Sequence, residues 1–218
     1  MSTDFSELRT KMVDGQVRTT DVTNQSIIEA MLTIPREAFV DDRMRPLAYI
    51  DEDIEIARGR YLMEPSPFAK LVQLAEIRPG ETVLDVGSGT GYSAAVLCRL
   101  AGHVVALESD PALAERARAT LAAQSVDNVT VVTGPLSAGH ADAAPYDVII
   151  VEGAVDVLPD ALFAELRQGG RLVAVEGRGN AGVARIYLKS GGIVTGRRAF
   201  NAAVKPLPGF ERIPAFVF

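Results

Sequence analysis

The sequence predicts a doubly wound, mostly parallel α/β sheet of seven strands, with an N-terminal helical cap and an antiparallel C-terminal end. Three observations carry that prediction. Between residues 82 and 176, short apolar runs alternate with helical patterns, the signature of parallel strands joined by crossover helices. Beyond Gly182 the pattern changes to two strand-like runs around Gly191-Gly192, which reads as a terminal hairpin. The first apolar run, Val83–Val86, leads into Gly87-Ser88-Gly89-Thr90-Gly91, and a helix opens directly after that turn.

Taken in order, Asp21 is placed to cap a helix carrying Val22, Ile27, Ile28, Met31 and Leu32 that stops before Pro35. Arg36–Val40 continues into a mixed stretch up to about Ile56. Residues 1–78 are expected to form a helical and irregular cap, and residues 79–218 the core. Arg58–Pro65 reads as a loop, with Ser66 and Pro67 as N-cap and first position of a helix through Glu76. Pro79-Gly80 turns the chain into the strand at 82–86, which leads to a helix at 92–100. The strand at 103–108 leads to a helix started by Asp110-Pro111, with Leu113, Ala117 and Leu121 at spacing four. Val129–Val132 and Tyr146–Val151 are the next strands. Pro159–Leu166 reads as a helix closed by Gln168-Gly169-Gly170, and Arg171–Glu176 as a fifth strand. Ala184–Leu188 and Ile193–Phe200 form the hairpin, and the apolar tail Phe210–Phe218 is expected to dock.

Composition narrows the function. A chain of 218 residues, 48% hydrophobic, can bury one sizeable core. A net charge of −6 without a long basic run argues against broad nucleic-acid binding. Cys98 is the single cysteine, so no internal disulfide forms; between Leu97 and Leu100 it reads as core. Two histidines and no Cys/His cluster argue against a metal site. No apolar run approaches membrane-spanning length and the N-terminus has no apolar targeting segment, so a cytoplasmic protein without a membrane partner is expected, as a monomer.

The glycine turn carries the chemistry. Strand, turn and helix N-terminus make a cradle whose free N–H groups favour a negative group. Glu108, ending the next parallel strand, is placed to accept hydrogen bonds from both hydroxyls of a ribose. The spacing is not the dinucleotide fingerprint G-x-G-x-x-G, because Tyr92 stands where its last glycine belongs and Asp85 precedes the first by two positions. This pattern resembles the first motif of S-adenosylmethionine-dependent methyltransferases, which have a Rossmann-like fold. That resemblance implies that Asp85, Gly87, Ser88, Gly89 and Gly91 hold the methionine part of the cofactor and Glu108 its ribose. The plainer alternative is a turn that only packs a helix on a sheet.

The likeness extends further. Gly15-Gln16-Val17-Arg18, Ile34-Pro35-Arg36-Glu37-Ala38-Phe39-Val40, Ala48-Tyr49, a Gly59-to-Pro65 loop, Ala144-Pro145-Tyr146-Asp147, Gly169-Gly170-Arg171-Leu172 and Pro206-Leu207 resemble the protein-L-isoaspartate O-methyltransferases over roughly residues 8 to 209. The resemblance implies methylation of the free carboxylate of isoaspartyl residues in damaged proteins, with S-adenosylhomocysteine as product. An ionised carboxylate needs no general base, so the lack of a catalytic triad is consistent with that chemistry.

Three departures stand out. The family loop, close to G-Q-T-I-S-x-P, is Gly59-Arg60-Tyr61-Leu62-Met63-Glu64-Pro65 here, so Met63 occupies the position of the family's active-site serine. Gly134-Pro135-Leu136 replaces a G-D-G whose aspartate is expected at the adenine; these residues should still line that end. Glu152 and Glu176 end strands where the family has small residues, and with Glu64 they would make the mouth acidic. Arg58 and Arg60 would offset this as an anion clamp, or else lie in a solvated loop. Two other functions fit the sequence: a methyltransferase with another acceptor, one of the glutamates serving as its base, or an inactive relative that acts as a binding protein.

Overall fold

The computed structural model describes residues 4–212. The cap opens with helix α1 (Phe5–Met12), whose first turn is held by the Asp4 carboxylate, and continues through a π turn (Val13–Val17) and a 3-10 turn (Arg18–Thr20). Helix α2 (Gln25–Thr33) is capped by Asn24, not by Asp21 as expected. Asn24 accepts from the N–H groups of Ser26 and Ile27 at 3.0 and 3.4 Å. Asp21 is left-handed, with φ +66°, outside the extended geometry that an N-cap needs.

The expected loop at Arg58–Pro65 is largely a hairpin. Strand β1 (Ile54–Ala57) pairs antiparallel with β2 (Arg60–Leu62), turning at Gly59 where φ is +70°. Ile54, Ile56, Arg60 and Leu62 point inward. The charge at an inward position is what hid this alternation in the sequence. Helix α3 (Pro65–Ala75) starts earlier than expected: Glu64 takes the N-cap position and Pro65 the first helical one, which its fixed φ and missing N–H suit.

The main sheet comprises β3 (Thr82–Val86), β4 (His103–Glu108), β5 (Val129–Thr133), β6 (Tyr146–Val155), β7 (Leu166–Glu176), β8 (Val183–Ser190) and β9 (Ile193–Asn201). Their spatial order is β5-β4-β3-β6-β7-β8-β9, parallel up to β7 and antiparallel across β8. Alternate residues face opposite layers. Val83, Val104, Ile150 and Val173 join the core beneath the cap, while Leu84, Val105, Ile149 and Leu172 join the core on the other face.

Helices α4 (Tyr92–Leu97), α5 (Pro111–Ala123) and α6 (Asp160–Ala164) cross over between strands. The helices at 92–100 and 159–166 are thus shorter than expected. Gln168-Gly169-Gly170 lies inside β7, near an irregular stretch of its pairing with β6, instead of closing a helix. Cys98 is core, its thiol pushed up to about 11 by burial.

The strand order reverses between β4 and β6, on either side of β3, and in open α/β sheets the crevice outside the strand ends at such a switch point receives ligands. Residues 202–210 run back across this edge. The Ala154 N–H donates to the Lys205 carbonyl at 2.9 Å, and the Leu207 N–H to that of Ala154 at 2.8 Å. Phe210 is buried; residues 213–218 of the expected docking tail lie outside the described residues. Among the described residues no helix is long and apolar enough to cross a membrane.

Candidate functional site

The glycine turn forms as expected but its N–H groups are not free. Gly87 and Gly89 adopt φ of +87° and +57°, a region that favours glycine. The N–H groups of Gly87 and Ser88 donate to the Leu107 carbonyl at 2.8 and 3.2 Å, and that of Gly89 to Glu108 Oε2 at 2.8 Å. The turn is thereby stitched to the end of β4. The expectation that these N–H groups await an anion is overturned at those three residues.

Glu108 is fully buried and surrounded by donors. Arg60 Nη1 donates to its Oε1 at 2.5 Å and Nη2 to its Oε2 at 2.8 Å, a bidentate pair. The N–H groups of Ser109 and Asp110 reach Oε1 at 2.8 and 2.9 Å, and the Ser109 hydroxyl reaches it at 3.3 Å. Arg60 also donates to the Gly87 carbonyl at 3.1 Å and is only 5% exposed. Its anion partner is therefore Glu108, and the expectation of a solvated loop is corrected for this residue. Arg58, on the same turn, is exposed.

The other carboxylates are less well served. Asp85 is fully buried and, among the described residues, accepts only from the Ser93 hydroxyl, at 2.6 Å on Oδ2. Its Oδ1, the Ser88 hydroxyl, the Tyr92 hydroxyl and Glu152 Oε1 are enclosed without a partner among the described residues. Burial pushes the Asp85 pKa up to about 7, with Glu108 adding repulsion and Ser93 and Arg60 opposing. Burial, then the Asp85 charge, holds Glu152 well above the usual carboxylate range.

The cap closes over this edge. Tyr92, where a dinucleotide site would have glycine, packs between Phe39 and Phe68 at centroid distances of 5.7 and 5.9 Å. The buried Arg36 guanidinium lies 4.7 Å from its ring centroid. Arg36 donates to the Ala48 and Met63 carbonyls, both at 2.7 Å, which fixes the backbone at both positions. Ile56, Tyr61, Leu62, Met63, Phe68, the glycine turn, Tyr92, Ser93 and Glu152 enclose a cavity of about 10 Å³, roughly room for one water. A Cβ added at Gly87 would lie 2.8 Å from Leu207 Cδ1, and one at Gly89 would lie 2.6 Å from Ile56 Cδ1. Apolar side chains thus rest directly on the turn.

Not every candidate gathers here. Glu176 is engaged by the Tyr187 hydroxyl and, at 3.2 Å, by Arg185, so it does not contribute to an acidic mouth. Glu64 takes the N-cap of α3, its carboxyl raised by partial burial and by Asp53, Asp51 and Glu52. Gly134 donates to the Glu108 carbonyl at 3.0 Å, which sets Gly134-Pro135-Leu136 beside the end of β4, with Leu136 buried. Sequence reasoning missed Arg36, Ile56, Ser93 and the inward turn of Arg60. Ser93 lies eight residues beyond Asp85, where only the helix register puts its hydroxyl against the carboxylate.

Comparison with known proteins bears on this geometry. The family model described as protein-L-isoaspartate(D-aspartate) O-methyltransferase matches residues 7–207. A protein-L-isoaspartate O-methyltransferase of Koribacter versatilis is 38% identical over 95% of this chain and 93% of its own length. One from Ignicoccus hospitalis is 41% identical over 76% of this chain and 78% of its own. Among solved structures, one titled protein-L-isoaspartate O-methyltransferase superposes with TM-score 0.79 and 26% identity, over 95% of this chain and 67% of that one. Another, from Plasmodium falciparum and solved in complex with S-adenosyl-L-homocysteine, gives TM-score 0.78 at 19% identity over 95% of this chain and all of that one; at that identity it speaks for the fold.

Proposed function

This chain belongs to the protein-L-isoaspartate(D-aspartate) O-methyltransferase family, and from that premise we propose that it transfers a methyl group from S-adenosylmethionine to the free carboxylate of isoaspartyl residues in proteins. One observation carries the reading to the atomic level. Asp85, the glycine turn and Glu108 converge at the switch point of the sheet, in a chain that the family spans almost from end to end.

The donor set suits the cofactor. Two buried carboxylates lie at the carboxyl ends of adjacent parallel strands, and Asp85 Oδ1 and the Ser88 hydroxyl lack partners among the described residues. Asp85, Gly87, Ser88, Gly89 and Gly91 would hold its amino-acid part, Glu108 its ribose, and Gly134, Pro135 and Leu136 its adenine. When bound, S-adenosylmethionine supplies a methyl group on a positively charged sulfur. The chain's own task is then to orient an acceptor that is already ionised at neutral pH. Positioning of this kind supplies most of the acceleration in such a displacement.

The segment Arg60–Pro65, pinned through the Met63 carbonyl by Arg36, is our candidate for the substrate loop. Met63 contributes a weak thioether acceptor where the family has a hydroxyl, so it cannot donate to the carboxylate. The exposed Lys205, 5.7 Å from the Tyr61 ring centroid, supplies a cation at the mouth opposed to Glu64 and Asp53. We take the protein to act as a cytoplasmic monomer without a nucleic-acid or membrane partner; its net charge of −6 supports the absence of a polyanion.

A labelled-methyl assay tests the function, with an isoaspartyl peptide set against the same peptide carrying ordinary aspartate. Base-labile label in the first only is expected; equal label in both, or none, contradicts the proposal. One observation favours a second reading. Glu152 lines the cavity with a raised pKa, as a base for a hydroxyl or amine acceptor would. Base-stable product abolished by Glu152→Gln would select that reading.

A further inference from the structure

We propose that Arg60 is a latch that holds the β1–β2 hairpin shut over the cofactor cradle and competes with the cofactor for Glu108. The inference rests on the cofactor reading above and adds to it a residue that sets cofactor affinity.

Acceptor capacity is the first ground. A carboxylate offers about four lone-pair sites. Glu108 already receives both Arg60 Nη groups, the N–H groups of Gly89, Ser109 and Asp110, and the Ser109 hydroxyl. Nothing remains for a ribose diol while Arg60 is in place. Removing Arg60 takes one donor from each oxygen and leaves Oε2 with the Gly89 N–H alone, which opens an acceptor position for a ribose hydroxyl there.

Space is the second ground. The cavity measures about 10 Å³, whereas sites for small molecules usually run to roughly 300–1,000 Å³. Ile56, which lines this cavity over Gly89, and Arg60, which lies against Glu108 and the Gly87 carbonyl, sit on the same hairpin. Among the described residues that hairpin is a separate two-stranded sheet with no strand pairing to the main one, so opening of the proposed latch would withdraw both side chains together. Leu207, resting on Gly87, belongs to the crossing segment 202–210.

Charge is the third ground. Asp85, Glu108 and Glu152 gather at this edge, and Arg60 pairs with Glu108 and also acts on Asp85. The guanidinium spans Glu108 and the Gly87 carbonyl, across the turn that the proposed function assigns to the cofactor. Glutamine at this position, as in the family loop quoted above, can make no bidentate ion pair.

If the open hairpin is populated to about a tenth or less, the apparent affinity falls at least about tenfold below that of the unlatched site. Calorimetric titration of the full chain with S-adenosylhomocysteine tests this, using wild type, Arg60→Gln and Arg60→Lys. Lysine keeps the charge but loses the fork, and it serves as the second variant should glutamine prevent folding. Circular dichroism checks each sample. Tighter binding by at least tenfold in Arg60→Gln, with Arg60→Lys between, is the expected result. Equal affinity in wild type and variants overturns the latch and leaves the cofactor reading intact. No binding by any folded sample overturns the cofactor reading, and the latch with it.

Discussion

Glu108 and Asp85 end two adjacent parallel strands, both fully buried, yet the chain serves them oppositely. Glu108 is paired with a bidentate arginine and supported by neighbouring N–H groups. Asp85 has one serine hydroxyl, and near it Ser88 and Glu152 also hold unpartnered atoms. An unmet buried polar group costs about 1–3 kcal/mol. One end of the cradle is thus stabilised from within, while the other carries a cost that an incoming group with donors relieves. The difference separates the part of the site that must be opened from the part that is ready.

Breaking the Glu108 end should have the largest effect. Glu108→Ala strands the buried Arg60 guanidinium on the Gly87 carbonyl alone, and urea unfolding should register a loss of about 3–5 kcal/mol. A loss under about 1 kcal/mol would show that Arg60 escapes to water and that the pair is not locked. Arg60→Gln should cost less, about 1–3 kcal/mol, because Glu108 keeps the N–H donors of Gly89, Ser109 and Asp110. The double variant should fall well short of the sum, as expected for partners in contact.

The Asp85 end should respond more mildly. Ser93→Ala removes the hydroxyl donor to the carboxylate, for about 1–2 kcal/mol near neutral pH. A pH series sharpens the contrast. Asp85 holds its proton in the folded state up to about 7, whereas the unfolded chain releases it near ~4. Its contribution is therefore full below ~4 and is lost as pH rises toward 7. Melting temperature should drop between pH 5 and pH 8, and Asp85→Asn should flatten that drop. An unchanged slope in Asp85→Asn would assign the titration elsewhere, with Glu152 the first group to test. The smallest effect is expected at Met63→Ser, where an added hydroxyl should raise isoaspartyl transfer less than about tenfold; no gain in a folded variant would place Met63 away from the acceptor.

The sequence made the sheet legible because its strands repeat one rule, an apolar run followed by a glycine turn or helix. Asp85, Gly87, Gly89 and Glu108 were legible for the same reason, since all sit at fixed offsets from strand ends. What stayed hidden was long-range. Arg60 and Glu108 are 48 residues apart, and local spacing cannot show that a charge on a short hairpin turns inward to meet a carboxylate. Asp21 and Asn24 illustrate the opposite scale. Both are good capping residues, and only the backbone of the preceding turn, left-handed at Asp21, decides between them.

On the proposed latch, the Arg60–Glu108 pair and the bound cofactor exclude one another. The most direct measurement is nitrogen-detected NMR of the arginine guanidinium groups, with Arg60 assigned by its loss in Arg60→Gln, before and after saturation with S-adenosylhomocysteine. Slowly exchanging Arg60 Nη hydrogens are expected in the free protein and should be lost to fast exchange when the cofactor product binds. Binding with the Arg60 signals unmoved and still protected would contradict the latch.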